Sequence, residues 1–176
     1  MTQMLKRCGL MLLLIITCSL ALAQSSRDEQ ALLAVFLGRF ASYVDWPSNE
    51  REVFNIGVID DDALADRLVQ LYADKRIQNR PVVIHRLGAE DQVRALDLLF
   101  IGSSQASLRQ RQIDALRTQP VLTVSTARGF AASGGLIQIN FVAQHAQITI
   151  NHDAALTKGL RISAPLLAIA KLIGRD

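Results

Sequence analysis

The fold of this chain follows from residues 53–72, VFNIGVIDDDALADRLVQLY. The first part, Phe54–Ile59, is a short apolar run rich in β-branched residues, which is typical of a strand buried on both faces. Three aspartates follow at 60–62, and aspartate oxygens accept hydrogen bonds from the free N–H groups that open a helix. Apolar residues then recur at helical spacing, at Leu64, Leu68, Leu71 and Tyr72. The stretch therefore predicts a βα unit with an aspartate cap at the turn.

The rest of the chain repeats this plan and then changes style. Three further apolar runs predict buried strands, at 82–84, 98–101 and 121–124. A polar helix is expected at 105–117. Apolar and polar residues alternate in 136–141 and 147–151, which predicts an antiparallel hairpin with one face in water. The fold class is therefore α/β, a three-layer sandwich with a largely parallel sheet, helices on both faces and an antiparallel hairpin at one edge.

Helices are also predicted at both ends of this domain. Ser26–Glu29 has the form of a capping box, and Pro47 would end the helix that it opens. The buried face of this first helix is predicted to consist of Leu33, Phe36, Leu37, Phe40 and Val44. Ser163–Pro165 opens a last helix that would run through Ile173 to a C-cap at Gly174. Two helical turns are expected between Gly88 and Leu96.

Residues 1–23 have the plan of a cleavable signal peptide. A basic pair, Lys6-Arg7, precedes the apolar run Leu10–Ile16, and Ala21-Leu22-Ala23 fits the small-residue cleavage rule. The apolar segment is shorter than the ~20 residues that a membrane-spanning helix needs. We therefore expect export and cleavage, with residues 24–176 as the mature single domain.

Charge and cysteine content exclude several classes of function. Cleavage removes Lys6 and Arg7, which leaves 17 of the 19 basic residues against 16 acidic ones. A nearly neutral domain gives no electrostatic case for binding nucleic acid. Both cysteines, Cys8 and Cys18, lie in the signal segment. The mature chain therefore has no disulfide, no thiolate metal site and no cysteine nucleophile.

A small-molecule site in such a fold is expected beyond the carboxyl ends of the parallel strands. The residues predicted there are Asp60–Asp62, Ser103-Ser104 and Ser125-Thr126. No glycine-rich phosphate loop occurs at the first turn, so nucleotide binding is not expected. The aspartates could collect a divalent cation, but carboxylates at a βα turn more often cap the helix.

No catalytic or metal-binding set is evident. Ser103 and Ser104 follow a strand as a nucleophilic serine would, but the second glycine of a nucleophile elbow is missing. His145 and His152 would lie about 23 Å apart along an extended strand, so they cannot share one metal within a protomer. The sequence therefore predicts no catalytic residues, no metal site and no cofactor, and the chain is not expected to be an enzyme.

Seven short motifs in series resemble the YfiR-like family of small exported bacterial proteins. They cover nearly all of the mature chain: FASYVDWP at 40–47, RPVV at 80–83, LLFIG at 98–102, VLTV at 121–124, GGLI at 134–137, IN at 150–151 and GLRIS at 159–163. The resemblance implies a periplasmic repressor that binds the periplasmic domain of an inner-membrane diguanylate cyclase, or of a related sensor protein, and lowers cyclic di-GMP and biofilm formation. The repressors of this family carry disulfide-forming cysteines, so redox control through the chain's own thiols is excluded here.

The alternative to a repressor is a periplasmic protein that binds and senses a small ligand at the strand ends. A homodimer is compatible with either function. The candidate partner-binding or ligand-binding residues are Trp46, Ser103, Ser104, Asn151, Arg161, Leu166 and Ile169. Trp46 is interpreted first as a corner plug, and Asn151 and Arg161 first as turn and helix-end residues. Leu166 and Ile169 belong to the last helix, whose apolar excess, with the Trp46 corner, marks the expected partner surface.

Overall fold

The computed structural model describes residues 28–47, 51–88, 91, 93, 95–142 and 145–174. The helices in these ranges are α1 (28–42), α2 (Asp62–Tyr72), α3 (Ala106–Ala115), α4 (His152–Thr157) and α5 (Ala164–Ile169). The strands are β1 (Val44–Asp45), β2 (Phe54–Ile59), β3 (Arg76–Ile77), β4 (Arg80–Leu87), β5 (Leu98–Ile101), β6 (Leu122–Ser125), β7 (Ile137–Val142), β8 (His145–Asn151), β9 (Arg161–Ile162) and β10 (Lys171–Ile173). The predicted signal peptide and the capping residue Ser26 lie outside the described residues.

Eight strands form one sheet in the order β10-β8-β7-β6-β5-β2-β4-β3. The five strands from β7 to β4 are parallel, and β8 runs antiparallel to β7. β10 lies beyond this hairpin, parallel to β8, and β3 runs antiparallel to β4 at the opposite edge. The predicted class, a largely parallel sheet with an antiparallel hairpin near one edge, is confirmed.

Helices cover both faces of the sheet, as predicted. Along β5 the side chains alternate, so that Leu98 and Phe100 join the core under α1, α2 and α4, whereas Leu99 and Ile101 join the core under α3. The turn region 126–136 contributes Phe130 to the second core. All four β5 residues are buried, as expected for a strand in the middle of three layers.

The first helix ends earlier than predicted. Tyr43 N donates to the carbonyls of Arg39 and Phe40, which closes the helix, and Val44 then enters β1. β1 pairs antiparallel with β9 in a separate two-stranded sheet, with Val44 opposite Ile162. The placement of Val44 on the helix was therefore wrong, although the residue is buried. A distant strand partner takes up its backbone groups and overrides the helical pattern.

The prediction of a long last helix was also wrong. α5 has six residues and ends at Ile169, and β10 then forms three register pairs with β8. Ile173 lies in this strand, so Gly174 follows a strand and is not a helix cap. A short apolar run fits a helix or a strand equally well, and here the open edge of β8 decides for strand.

The connection between β4 and β5 differs from prediction as well. The described residues between Gly88 and Leu96 are not helical. Gly88 N donates to the carboxylate of Asp91 at 2.7 Å, and Asp91 N donates back to the carbonyl of Gly88. An aspartate that bonds nearby backbone stabilises a turn in competition with a helix, which explains the failure of the helical prediction there.

Candidate functional site

A cavity of about 210 Å³ opens at the carboxyl edge of the sheet, where the fold rule places ligands. It lies between the start of α1 and the ends of β5 and β7. Its polar lining includes Glu29, Gln30, Asp61 and Asn140, and its apolar lining includes Leu33, Phe100 and Phe141. Two carboxylates in the lining give the cavity a negative charge, so it suits ligands that carry hydrogen-bond donors.

Of the aspartates at the first turn, Asp61 caps α2. Asp61 Oδ1 accepts from Leu64 N at 3.0 Å, and its Oδ2 accepts from Gln30 Nε2 at 3.1 Å. The capping interpretation is therefore confirmed for Asp61. Among the residues that the structure describes, no group of three histidine, cysteine or acidic side chains is placed to hold a metal ion.

The two candidate serines differ in exposure. Ser103 is buried at 6%, its Oγ accepts from Gln105 N, and its carbonyl accepts from Arg109 Nη1 at 2.8 Å. Ser104 is exposed at the start of the connection to α3. Ser103 is therefore held in a local turn contact, whereas Ser104 is accessible. A ligand-binding role for either serine stays a prediction.

Trp46 is anchored at the amino edge of the sheet. Its ring meets Phe54 edge-on at 5.3 Å between centroids, and its Nε1 donates to the carbonyl of Asp97 at 3.2 Å. These contacts agree with the corner-plug interpretation, because a half-buried indole gains both area and one hydrogen bond. A binding role for Trp46 stays a prediction.

The sequence missed the acidic residue on which this corner rests. Asp97 is fully buried, and its Oδ2 accepts from Asn55 N at 2.8 Å. Its Oδ1 faces Nη1 of Arg51 at 3.4 Å and Nη1 of Arg80 at 3.3 Å. The guanidinium of Arg80 also lies over the ring of Phe54, 4.8 Å from its centre. The position of Asp97 directly before the most apolar strand could have identified it. An aspartate so placed is expected to be buried, and a buried aspartate needs charged or hydrogen-bonding partners.

A second buried charge, Lys158, follows α4 and contacts the carboxyl end of α3, which leads into β6. Lys158 is 8% exposed, and its Nζ donates to the carbonyl of Leu116, the C-cap of α3, at 2.6 Å. Burial lowers the pKa of the Lys158 ammonium to about 8. A cation at a helix C-terminus is favourable, which offsets part of the cost of burial. Apart from the position of Lys158 before Gly159, nothing in the sequence points to this role.

Asn151 and Arg161 lie on either side of α4. Asn151 Oδ1 accepts from Ala154 N as the N-cap of the helix, and its Nδ2 donates to the carbonyl of Ala131 at 3.0 Å. Arg161 is exposed in β9, opposite Asp45 in register. Asn151 thus makes local backbone contacts as a helix cap. The helix-end interpretation of Arg161 was wrong, because the residue lies in strand β9, where it is exposed.

The last helix brings one candidate to the core and leaves the other in solvent. Leu166 is 2% exposed and packs in the larger core, whereas Ile169 is 70% exposed. Leu156 of α4 and Leu172 of β10 are also about half exposed. We call Leu156, Ile169 and Leu172 the C-terminal apolar surface. α4 lies next to β10, so the three side chains belong to neighbouring elements.

A model of the YfiR/HmsC-like family matches residues 30–171 of the chain. The match begins within α1 and ends at the first residue of β10, so it covers every predicted site residue and more than half of the chain. A search of curated proteins gave no match. In the described ranges, none of the helices is both long enough and apolar enough to cross a bilayer.

Proposed function

The chain belongs to the YfiR/HmsC-like family, and on this premise we propose that it is a non-enzymatic periplasmic regulator of a membrane signalling protein. It binds the periplasmic domain of an inner-membrane diguanylate cyclase, or of a related sensor, and holds it inactive. Repression lowers cyclic di-GMP and, through it, biofilm formation. The proposal includes cleavage of residues 1–23 on export and a mature single domain from Gln24 to Asp176.

The family match over residues 30–171 is the observation that carries this proposal. The composition supports it, since the mature chain has neither a thiol nor a catalytic constellation. Repression is therefore relieved by an event other than oxidation of the chain's own cysteines. A change in the partner or in a bound ligand satisfies this condition.

The C-terminal apolar surface is the proposed contact with the partner. Ile169 at 70% exposure leaves most of a large apolar side chain in water, and Leu156 and Leu172, on the neighbouring α4 and β10, are each about half exposed. Association removes such area from water, which is favourable by about 25 cal/mol per Å². The exposed Arg161 adds a hydrogen-bond donor on β9, next to the Trp46 corner.

The test combines a cellular assay with capture of the partner. Cyclic di-GMP is measured with and without the gene, and periplasmic complexes of the mature chain are crosslinked and identified. We expect a rise in cyclic di-GMP on deletion and recovery of one membrane cyclase or sensor. Ile169→Glu should abolish repression and capture, whereas Val142→Glu, a similar change on the β7–β8 hairpin, should not. An unchanged nucleotide level on deletion would remove the repressor function.

The cavity at the carboxyl edge supports a second candidate function, the sensing of a small ligand. Its position beyond the parallel strands and its mixed polar and apolar lining are typical of ligand sites. A ligand that binds the native state raises the melting temperature. Thermal-shift screening of periplasmic metabolites against wild type and Glu29→Gln tests this function, and a ligand whose effect survives the substitution binds elsewhere.

A further inference from the structure

A groove with a basic rim runs between α1 and α2 on the outer surface of one helical layer. The two helices lie side by side in the same direction, since Gln30 of α1 contacts Asp61 at the start of α2 and Gly38 contacts Tyr72 at its end. A β-carbon at Gly38 would overlap the hydroxyl of Tyr72, so a larger residue there would displace the Tyr72 ring. The groove encloses about 270 Å³.

The charges that line this groove are all positive. Arg39 comes from α1, and Lys75 and Arg76 come from the segment after α2. In the described part of the chain Arg39 and Lys75 form no ion pair, and Arg76 donates to the carbonyl of Asn79. Asp74 is exposed nearby in sequence but does not line the groove. Arg86 and Arg117, by contrast, pair with Asp66 and Asp114.

The floor of the groove is apolar. Val35, Leu71 and Tyr72 line it, and Val35 is 39% exposed. Burial raises the pKa of Tyr72, so its phenol stays protonated at neutral pH and can donate a hydrogen bond. One turn earlier on α1, Leu32 is 38% exposed on the face that carries Val35 and Arg39. An apolar floor between cations matches an apolar stripe flanked by acidic residues.

We propose that the α1–α2 groove binds an acidic amphipathic helix of the partner protein. This inference rests on the proposed function, to which it adds the chemistry of the partner's docking segment. Complementary charge selects an acidic segment, and a groove between two helices fits the apolar face of a third. An anionic bilayer would meet convex surfaces first, so the concave shape favours a protein segment.

The cations could instead serve the carboxyl ends of α1 and α2, where positive charge is favourable by about 0.3–1 kcal/mol. That role predicts a lower melting temperature on charge reversal and no effect on association. Docking predicts an unchanged melting temperature and weaker association on charge reversal. The two roles are therefore separated by measuring stability and association on the same variant.

The experiment places a photocrosslinking amino acid, p-benzoylphenylalanine, at position 35 of the full chain in cells, with the crosslinked peptide identified by mass spectrometry. We expect an adduct with an acidic amphipathic segment of a membrane protein. Arg39→Glu with Lys75→Glu should lower its yield about tenfold or more, because attraction becomes repulsion. The matched control, Arg117→Glu with Arg128→Glu, makes the same charge change on the α3 side and should leave the yield unchanged.

Three results would overturn the proposal: no adduct from position 35, an adduct with a basic segment or a lipid, or a yield that survives reversal of Arg39 and Lys75. Cyclic di-GMP is measured in the same strains to separate the two proposals. If deletion leaves the nucleotide unchanged while the charge-dependent adduct forms, the repressor function fails and the groove stands. If deletion raises the nucleotide while position 35 of the wild-type chain gives no adduct, the groove fails and the repressor function stands.

Discussion

At the amino edge of the sheet the charged groups are buried and paired, whereas at the carboxyl edge they line an open cavity. Asp97 and Lys158, the charged residues that are buried in the described chain, have partners near the starts of β5 and β6. Glu29 and Asp61 face the cavity beyond the ends of β2 and β5. The difference indicates that the first edge maintains the fold and the second is available for binding.

The largest expected loss of stability comes from removing Asp97, which lies at the centre of the buried charges of the amino edge. Asp97→Ala leaves Arg51 and Arg80 facing each other without their carboxylate and removes the acceptor for Asn55 N. We expect a loss of about 3–5 kcal/mol in the free energy of unfolding, measured by urea denaturation. The control is Asp114→Ala, which breaks an exposed pair with Arg117 and should cost about 0–1 kcal/mol. Equal losses would contradict the contrast between buried and exposed charge.

Lys158 gives the amino edge a pH dependence. The pKa of the folded chain's Lys158 is lowered to about 8 from 10.5, so between these values the unfolded chain binds the proton that the native chain has released. Stability therefore rises with pH across this window and is lower below pH 8, where the buried ammonium is charged. Relative to Lys158→Met, wild type should gain about 1–2 kcal/mol from pH 8 to 10.5 after allowance for solvent screening.

This gain is measured as the difference between the pH profiles of unfolding free energy for wild type and Lys158→Met. Lys75→Met removes an exposed lysine and serves as the control, whose profile should run parallel to wild type. A flat difference between wild type and Lys158→Met would show that the native chain tolerates the buried charge without cost.

At the carboxyl edge, a substitution should lower the free energy of unfolding only where the residue also caps a helix. Asp61→Ala removes the acceptor for Leu64 N and should cost about 1 kcal/mol. Asp61→Asn keeps a capping oxygen and removes the charge, so stability should stay within a few tenths of a kcal/mol. Thermal unfolding of the two variants checks the order. Equal destabilisation would mean that the carboxylate charge, and not the cap, stabilises this turn.

Glu29→Gln is expected to have the smallest effect. The side chain lies at the cavity mouth on the exposed surface, so its loss of charge should change the unfolding free energy by less than about 0.5 kcal/mol. Chemical denaturation measures this directly. A large loss would place Glu29 in the fold-maintaining group and remove the contrast between the two edges.

Local signals account for the parts of the fold that were predictable from sequence. The β2–α2 unit combines an apolar strand, a capping Asp61 and a helical repeat, and each of these acts within a few residues. The β7–β8 hairpin is equally local, because its alternating pattern fixes which face is buried. The strand ends that form the cavity follow from this topology.

The parts that failed depend on distant partners. Val44 leaves the helix because β9 pairs with it, and Leu172 joins the sheet because β8 has a free edge. Asp97 is important because it pairs with Arg51 and Arg80, and the residues next to Asp97 in the sequence do not predict these pairs. The α1–α2 groove depends likewise on which helices pack together. Sequence patterns report the periodicity of apolar residues, whereas these contacts depend on tertiary packing.

The small sheet of β1 and β9 has a consequence for folding kinetics. It joins Val44 to Ile162 across most of the chain, and Ser163 N continues it by donating to the carbonyl of Tyr43 at 2.9 Å. Contacts of such high sequence separation form slowly, because a long loop must close before they stabilise anything. We expect the amides of β1 and β9 to gain protection from hydrogen exchange after those of β2 and β5. The two distant segments would then pair only after the central sheet has formed.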